Sequence, residues 1–229
     1  MRNCISLAIV FVLCLVAHSS PVRSNLGADG IRDLKGGTDA AFVEYLESTG
    51  TQWIDTGIPV SSALCVEVEA LAFSLPKGLG WCPIGGCDRF GVNGMYTYIA
   101  DNRGAYGNYG ATERSVGLIT FNQWFTLKMN QNIYYIDSAS RFFSALSFSS
   151  PVTYTLFARN NATGVYQLGN GGRIRWATIS DGNGNLLRDL VPVRIGREGY
   201  MLDQESGTLF ANQGTGAFVI GPDIEPLEL

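Results

Sequence analysis

The sequence predicts an all-β protein made of two packed antiparallel sheets. Twenty-eight glycines stand beside twelve Phe and ten Tyr, a composition suited to short strands joined by tight turns. From Ala41 onward, alternating apolar and polar runs recur about every 8–15 residues, and no run of helical period reaches a useful length. Hydrophobic residues make up 46% and charged residues 16% of the 229, enough for one large core and a poor fit to two domains. A closed barrel would bury the same strands, but irregular spacing and long loops favour a sandwich.

The first residues form a separate unit. Arg2 precedes an apolar run from Ile5 to Ala17, and Ala17-His18-Ser19 supplies small residues at signal-peptidase spacing. Residues 1–19 are expected to be a secretory signal, with cleavage after Ser19 as first choice and after Ser24 as second. The run is short against the roughly 20 residues a membrane span needs. The expected destination is extracellular or periplasmic, with no membrane insertion after cleavage. Residues 20–40 lack periodicity and are expected to be a flexible lead-in. Residues 41–225 form the predicted folded domain.

The strands follow in order. In residues 64–73, Leu64, Val66, Val68 and Ala70 share one face, with Cys65, Glu67 and Glu69 on the other. Residues 124–130 repeat the pattern with Phe125, Leu127 and Met129, and Asn130-Gln131-Asn132 turns the chain into Ile133-Tyr-Tyr-Ile-Asp137. Further strands are expected in 141–148, 150–159 and 174–180. Asp181-Gly-Asn-Gly-Asn185 is the clearest turn, since Asp-Gly and Asn-Gly supply the positive φ of tight hairpins. It leads into 186–193, where Pro192 indicates a strand end or an edge.

Charge and rare residues restrict the chemistry. His18 is the only histidine and leaves with the signal, so the mature chain is expected to hold no triad, Cys–His pair or imidazole zinc site. Loss of Arg2 leaves 15 basic against 20 acidic residues, a net of −5. Nucleic acid is therefore not an expected partner. Three cysteines remain. Cys82 and Cys87 flank Pro-Ile-Gly-Gly, which reads as a loop that bends back and lets them form a disulfide. Cys65 reads as packed within its strand.

Four segments, towards the two ends of residues 43–223, carry a resemblance. The opening segment VEYLESTGTQWIDTGI, residues 43–58, resembles that of concanavalin A-like, laminin-G-like modules of secreted and phage-associated bacterial proteins. LFARN at 156–160, IRWATISDGNGNLLRDLVPVR at 174–194 and GYMLDQESGTLFANQGTGAFVIGPD at 199–223 resemble the same group. The resemblance implies a jelly-roll β-sandwich of the concanavalin A-like lectin/glucanase type with its chain ends close together. Members bind glycans or proteins, decorate larger surface proteins, or cleave polysaccharides. The opening segment itself reads as architecture: Ser48-Thr49-Gly50 turns one strand into the next, and Gly207, Gly214 and Gly216 suit turns near the closing strand.

Several residues are candidates for chemistry. The laminarinase-type hydrolases of this fold carry Glu-x-Asp-x-x-Glu on one strand. Here Glu67-Val68-Glu69-Ala70-Leu71-Ala72 lacks the middle Asp and the third carboxylate, so a solvated outer face explains it better. Asp55 and Asp137 are possible calcium ligands, but calcium needs six or more oxygens and no dense acidic loop supplies them. Asp181 to Asn185 looks like a calcium loop, yet its twelfth position is Pro192. Asn161-Ala-Thr163 fits a glycosylation acceptor. Arg188 and Asp189 are adjacent on a strand, so they point to opposite faces and into structural pairings.

The strongest ligand-binding candidate is the Gly–Tyr–Asn stretch 91–110. Tyr96, Tyr98, Tyr106 and Tyr109 are interleaved there with Asn102, Arg103 and Asn108. Flat rings suit the apolar face of a sugar and amides suit its hydroxyls. Trp81 is a further candidate. The expected function is a secreted, non-catalytic binding or adhesion module for an extracellular glycan or surface protein, with no required cofactor. The alternatives are a glycoside hydrolase and a structural surface domain with no small ligand.

Overall fold

The Cys65–Ala72 strand takes its place from its alternation. Val66, Val68 and Ala70 are buried, while Cys65, Glu67 and Glu69 remain half-exposed on the opposite face. The Trp124–Asn130 strand matches it, with Phe125, Leu127 and Met129 inward and Val68 directly opposite Leu127. Burying one face of each strand removes apolar surface from water and fixes the register, because a one-residue slip would expose every core side chain.

The computed structural model describes residues 39–74, 81–87, 94–161, 164–166 and 171–227, with 161 and 164–166 described by backbone alone. The signal segment, nearly all of the lead-in, residues 91–93 of the tyrosine-rich stretch and Thr163 of the glycosylation triplet lie outside the described residues. No helix occurs among the described residues, and two sheets stack as a β-sandwich. The larger sheet runs Ala139–Phe142, Ile133–Ile136, Trp124–Asn130, Cys65–Ala72, Gly172–Ser180, Leu186–Ile195, Ala40–Val43, Asp223–Pro226. The smaller runs Gly164–Tyr166, Arg159–Asn161, Trp81–Cys87, Gly94–Ala100, Gly104–Gly110, Thr112–Leu118. Ser149–Leu156 joins it by pairing with both Trp81–Cys87 and Ile54–Ser61. Pairing among the described strands is antiparallel except for a single parallel bridge, Asn160 to Cys87.

The core lies between the sheets, with Ile54, Val68, Met95, Ile99, Met129, Leu156, Ile174 and Ile179 buried in one cluster. Tyr134 crosses the gap. Its ring lies over Gly107, where an added Cβ would come within 2.2 Å of Cδ2, and its hydroxyl donates to the Asn108 carbonyl of the other sheet. The first and last described strands lie side by side: Ala40–Val43 pairs with Asp223–Pro226, and Arg194 clasps the Asp223 carboxylate through two bonds and Asp39 through its carboxylate and its carbonyl.

The opening and closing segments lock together. Ser48 Oγ donates to the Gln52 carbonyl and accepts from Gly50 N, whose φ of 106° suits glycine. Thr51 and Gln52 side chains both donate to the Thr215 carbonyl, and Asn212 Oδ1 accepts from Trp53 N. These residues hold the fold closed.

Three expectations need correction. Pro192 is buried inside the ten-residue Leu186–Ile195 strand rather than at its end. On one side it faces a local edge, since pairing there passes from Leu190↔Ala177 to Val193↔Phe42, while on the other side Pro192 stands opposite Met201. A strand position that lacks a neighbour on one side tolerates the missing N–H of proline. Of residues 141–148, only Arg141 and Phe142 are strand, and both are exposed. The Cys82–Cys87 disulfide does not form. Pro83 to Gly86 runs within the Trp81–Cys87 strand, with a register shift between Pro83 and Gly85, so five residue steps of roughly 3.3 Å lie between Cα atoms that a disulfide needs within about 7 Å. The glycines serve close approach, as a Cβ at Gly85 would meet the Thr155 carbonyl at 2.5 Å. Burial pushes the Cys82 thiol up to about 12.

Candidate ligand-binding cleft

The cleft grows from strand parity in one hairpin. Gly94–Ala100 and Gly104–Gly110 pair with Tyr98 opposite Tyr106 and Ile99 opposite Ala105. Odd-numbered Met95 and Ile99 go to the core, so Tyr96, Tyr98 and Ala100 face outward with Tyr106 beside them. The turn is built by Arg103, whose N–H donates to the Ala100 carbonyl at a φ of 67°, and by Asn102, whose Oδ1 accepts from Gly104 N at 2.8 Å. Gly104 is needed there, because a Cβ would stand 2.7 Å from Tyr106 Cε2 and 2.8 Å from Asn102 Oδ1.

The outward rings form an ordered array. Tyr98 and Tyr106 are nearly parallel, with centroids 5.2 Å apart and planes 7° from one another. Trp81, from the neighbouring strand, meets Tyr98 edge-on at 4.9 Å. Tyr96 and Tyr98 donate their hydroxyls to the two oxygens of Glu113, at 2.8 and 2.9 Å. Burial, then the Glu113 hydrogen bond and charge, raise the Tyr98 phenol well above its ordinary value, so it stays a donor. The Arg159 guanidinium lies 4.3 Å from the Trp81 ring and 4.8 Å from that of Tyr96. Together Trp81, Tyr98, Ala100, Asp101, Asn102, Tyr106, Glu113 and Arg159 line an open cleft of about 380 Å³.

The candidates thus divide. Trp81, Tyr98, Asn102 and Tyr106 meet at the cleft, and Tyr96 is buried beside it as a support for Glu113. Arg103 is exposed in the turn and does not line the cleft. Tyr109 is a core residue: it is 2% exposed, packs on Tyr134, Phe143 and Phe148, and donates to the carbonyls of Ser62 and Leu146. Its odd number carried that signal. Asp101, Glu113 and Arg159 were missed. Asp101 adjoins Asn102 and was within reach of sequence reasoning, whereas Glu113 and Arg159 arrive from other strands.

The other candidates are engaged structurally. Glu67 pairs with Lys128 at 2.9 Å, and Glu69 accepts from Trp176 Nε1 at 3.0 Å and faces Arg175, which also pairs with Glu44. Asp55, within the Ile54–Ser61 strand, accepts from Gly57 N, and Asp137 accepts from Thr126 N. Asp181 accepts from Asn183 N, Asn185 N and Asn185 Nδ2, and the Asn185 bonds lead in holding its carboxyl below the usual range. It closes a hairpin. Arg188 reaches the Thr56 carbonyl and the buried Asp203. Among the described residues, no three His, Cys, Asp or Glu converge as metal ligands.

No family model matches this sequence, and neither does any curated protein. Solved structures similar to it include Trypanosoma rangeli sialidase in complex with sialic acid, at 13% identity and TM-score 0.40 over 55% of this chain and 21% of that one. Trypanosoma rangeli sialidase alone gives 13% and 0.38 over 66% and 28%. A mutant of that sialidase displaying trans-sialidase activity gives 15% and 0.37 over 54% and 21%. The chain thus spans less than a third of the length of these sialidases, and likeness at this level bears on neither activity nor ligand.

Proposed function

We propose that this protein is a secreted, non-catalytic binding module of the concanavalin A-like, laminin-G-like kind, with a glycan as its ligand. The Tyr98–Tyr106 pair carries this reading: two near-parallel rings at an open cleft, with carboxylates, an amide and a guanidinium at its edge. A sugar lays its C–H face on a ring and turns its hydroxyls to such groups. The tyrosine–Glu113 bonds fix the platform before any ligand arrives, which lowers the ordering cost of binding. Export rests on the signal-like residues 1–19.

A glycan array followed by calorimetry on the purified protein tests this. Tyr98→Ala and Tyr106→Ala should each weaken binding of the best array ligand about tenfold or more, and Tyr109→Phe should leave it unchanged. Unaltered affinity in both alanine variants removes the cleft from the account.

Hydrolysis is a second reading, favoured by one observation: Asp101 and Glu113 line the same aromatic cleft. Against it, both Glu113 oxygens hold tyrosine hydroxyls, and Asp101 is an exposed turn residue. Release of reducing ends by the native protein, abolished in Glu113→Gln, would replace recognition by turnover.

A further inference from the structure

Resting on the glycan reading, we infer that the cleft is selective by charge: it takes saccharides that present neutral hydroxyls and rejects their carboxylated counterparts. Its edge is dominated by acceptors. Glu113 and Asp101 supply four carboxylate oxygens, and two lone-pair directions on Glu113 are used by Tyr96 and Tyr98. Asn102 Oδ1 is taken by Gly104 N, so that side chain offers its amide N–H groups. Among the described residues, the lining therefore carries two negative charges against one positive.

The positive charge is placed to support the rings. The Arg159 guanidinium is seated on the faces of Trp81 and Tyr96, which keeps it beside the aromatic wall. An arriving carboxylate would meet Glu113 and Asp101 at the open edge, whereas a hydroxyl can donate to either. Arg159 occupies one face of Trp81, and Tyr98 is flanked by Tyr106, Tyr96 and Trp81, so the ring surface left for a sugar is the face of Tyr106 turned away from Tyr98. Trp81 then acts as a positioning wall for Tyr98, held edge-on at 4.9 Å.

The test compares neutral oligosaccharides with uronic-acid oligomers of the same linkage, by calorimetry at low and high salt. The neutral series should bind roughly tenfold or more tightly than the acidic series at low salt, with the gap narrowing as salt rises. Glu113→Gln and, separately, Asp101→Asn should narrow the gap by admitting the acidic series. The second variant, in an exposed turn, guards against loss of the tyrosine support in the first. Equal or stronger binding of the acidic series by the native protein overturns the inference and leaves the glycan reading standing. Binding of neither series overturns the glycan reading itself.

Discussion

In the tyrosine-rich hairpin, a side chain's parity decides whether it meets ligand or core. Tyr98 and Tyr106 have the outward parity, while Tyr109, three residues beyond Tyr106 and so of the opposite parity, is packed among Tyr134, Phe143 and Phe148. Beneath the site, Gly86 has the same kind of single-residue control. Its φ is 132°, and a Cβ there would stand 2.4 Å from the Met95 carbonyl oxygen and from Tyr96 Cα. Backbone atoms cannot swing away as a side chain could. Gly86→Ala should therefore cost about 3 kcal/mol or more, from left-handed strain plus overpacking, read as a lower urea midpoint. A change within a few tenths of a kcal/mol would mean that the strand can shift.

At the element scale, Ala40–Val43 and Asp223–Pro226, the first and last described strands, join at one edge of the larger sheet. Arg194 bridges Asp39 and Asp223 across them, and its hydrogen bonds hold the Asp223 carboxyl below the usual range. The folded pKa of Asp223 is thus lower than its unfolded value near about 3.9. Its contribution is complete above that unfolded value and is lost as pH falls through the folded one. Arg194→Gln should lower the melting temperature modestly at pH 7, since the partners are solvent-exposed. The deficit should begin to shrink below about pH 4, as falling pH takes the same pairing from the native protein, and should be smaller in high salt. A deficit constant across pH would assign Arg194 a packing role instead.

For the whole molecule, the question is what makes two sheets behave as one body. Apolar contact supplies most of it, and Tyr134 adds a directional link from its fully buried position to the Asn108 carbonyl. Tyr134→Phe keeps the ring over Gly107 and deletes the bond, leaving a buried carbonyl with one partner fewer. It should lower stability by about 1–2 kcal/mol while unfolding stays a single transition. Two separate transitions would show sheets that fold independently.

The sequence by itself determined what depends on near neighbours. Period-two alternation in 65–72 and 124–130, the Asp181 hairpin and the tyrosine-bearing strands are local consequences of residue order, and they bring the all-β class with them. Tertiary structure decided whatever required knowing what lies across a gap. Gly85-Gly86 reads locally as a turn between two cysteines, yet it lies within a strand that its neighbours approach closely, so the cysteines are held apart. Glu113 and Arg159 reach the cleft only because Thr112–Leu118 and Arg159–Asn161 flank the hairpin and Trp81–Cys87 in the smaller sheet. Contacts between residues tens of positions apart leave no mark in short-range pattern, since pattern reports which face a side chain takes and not which strand it will meet there.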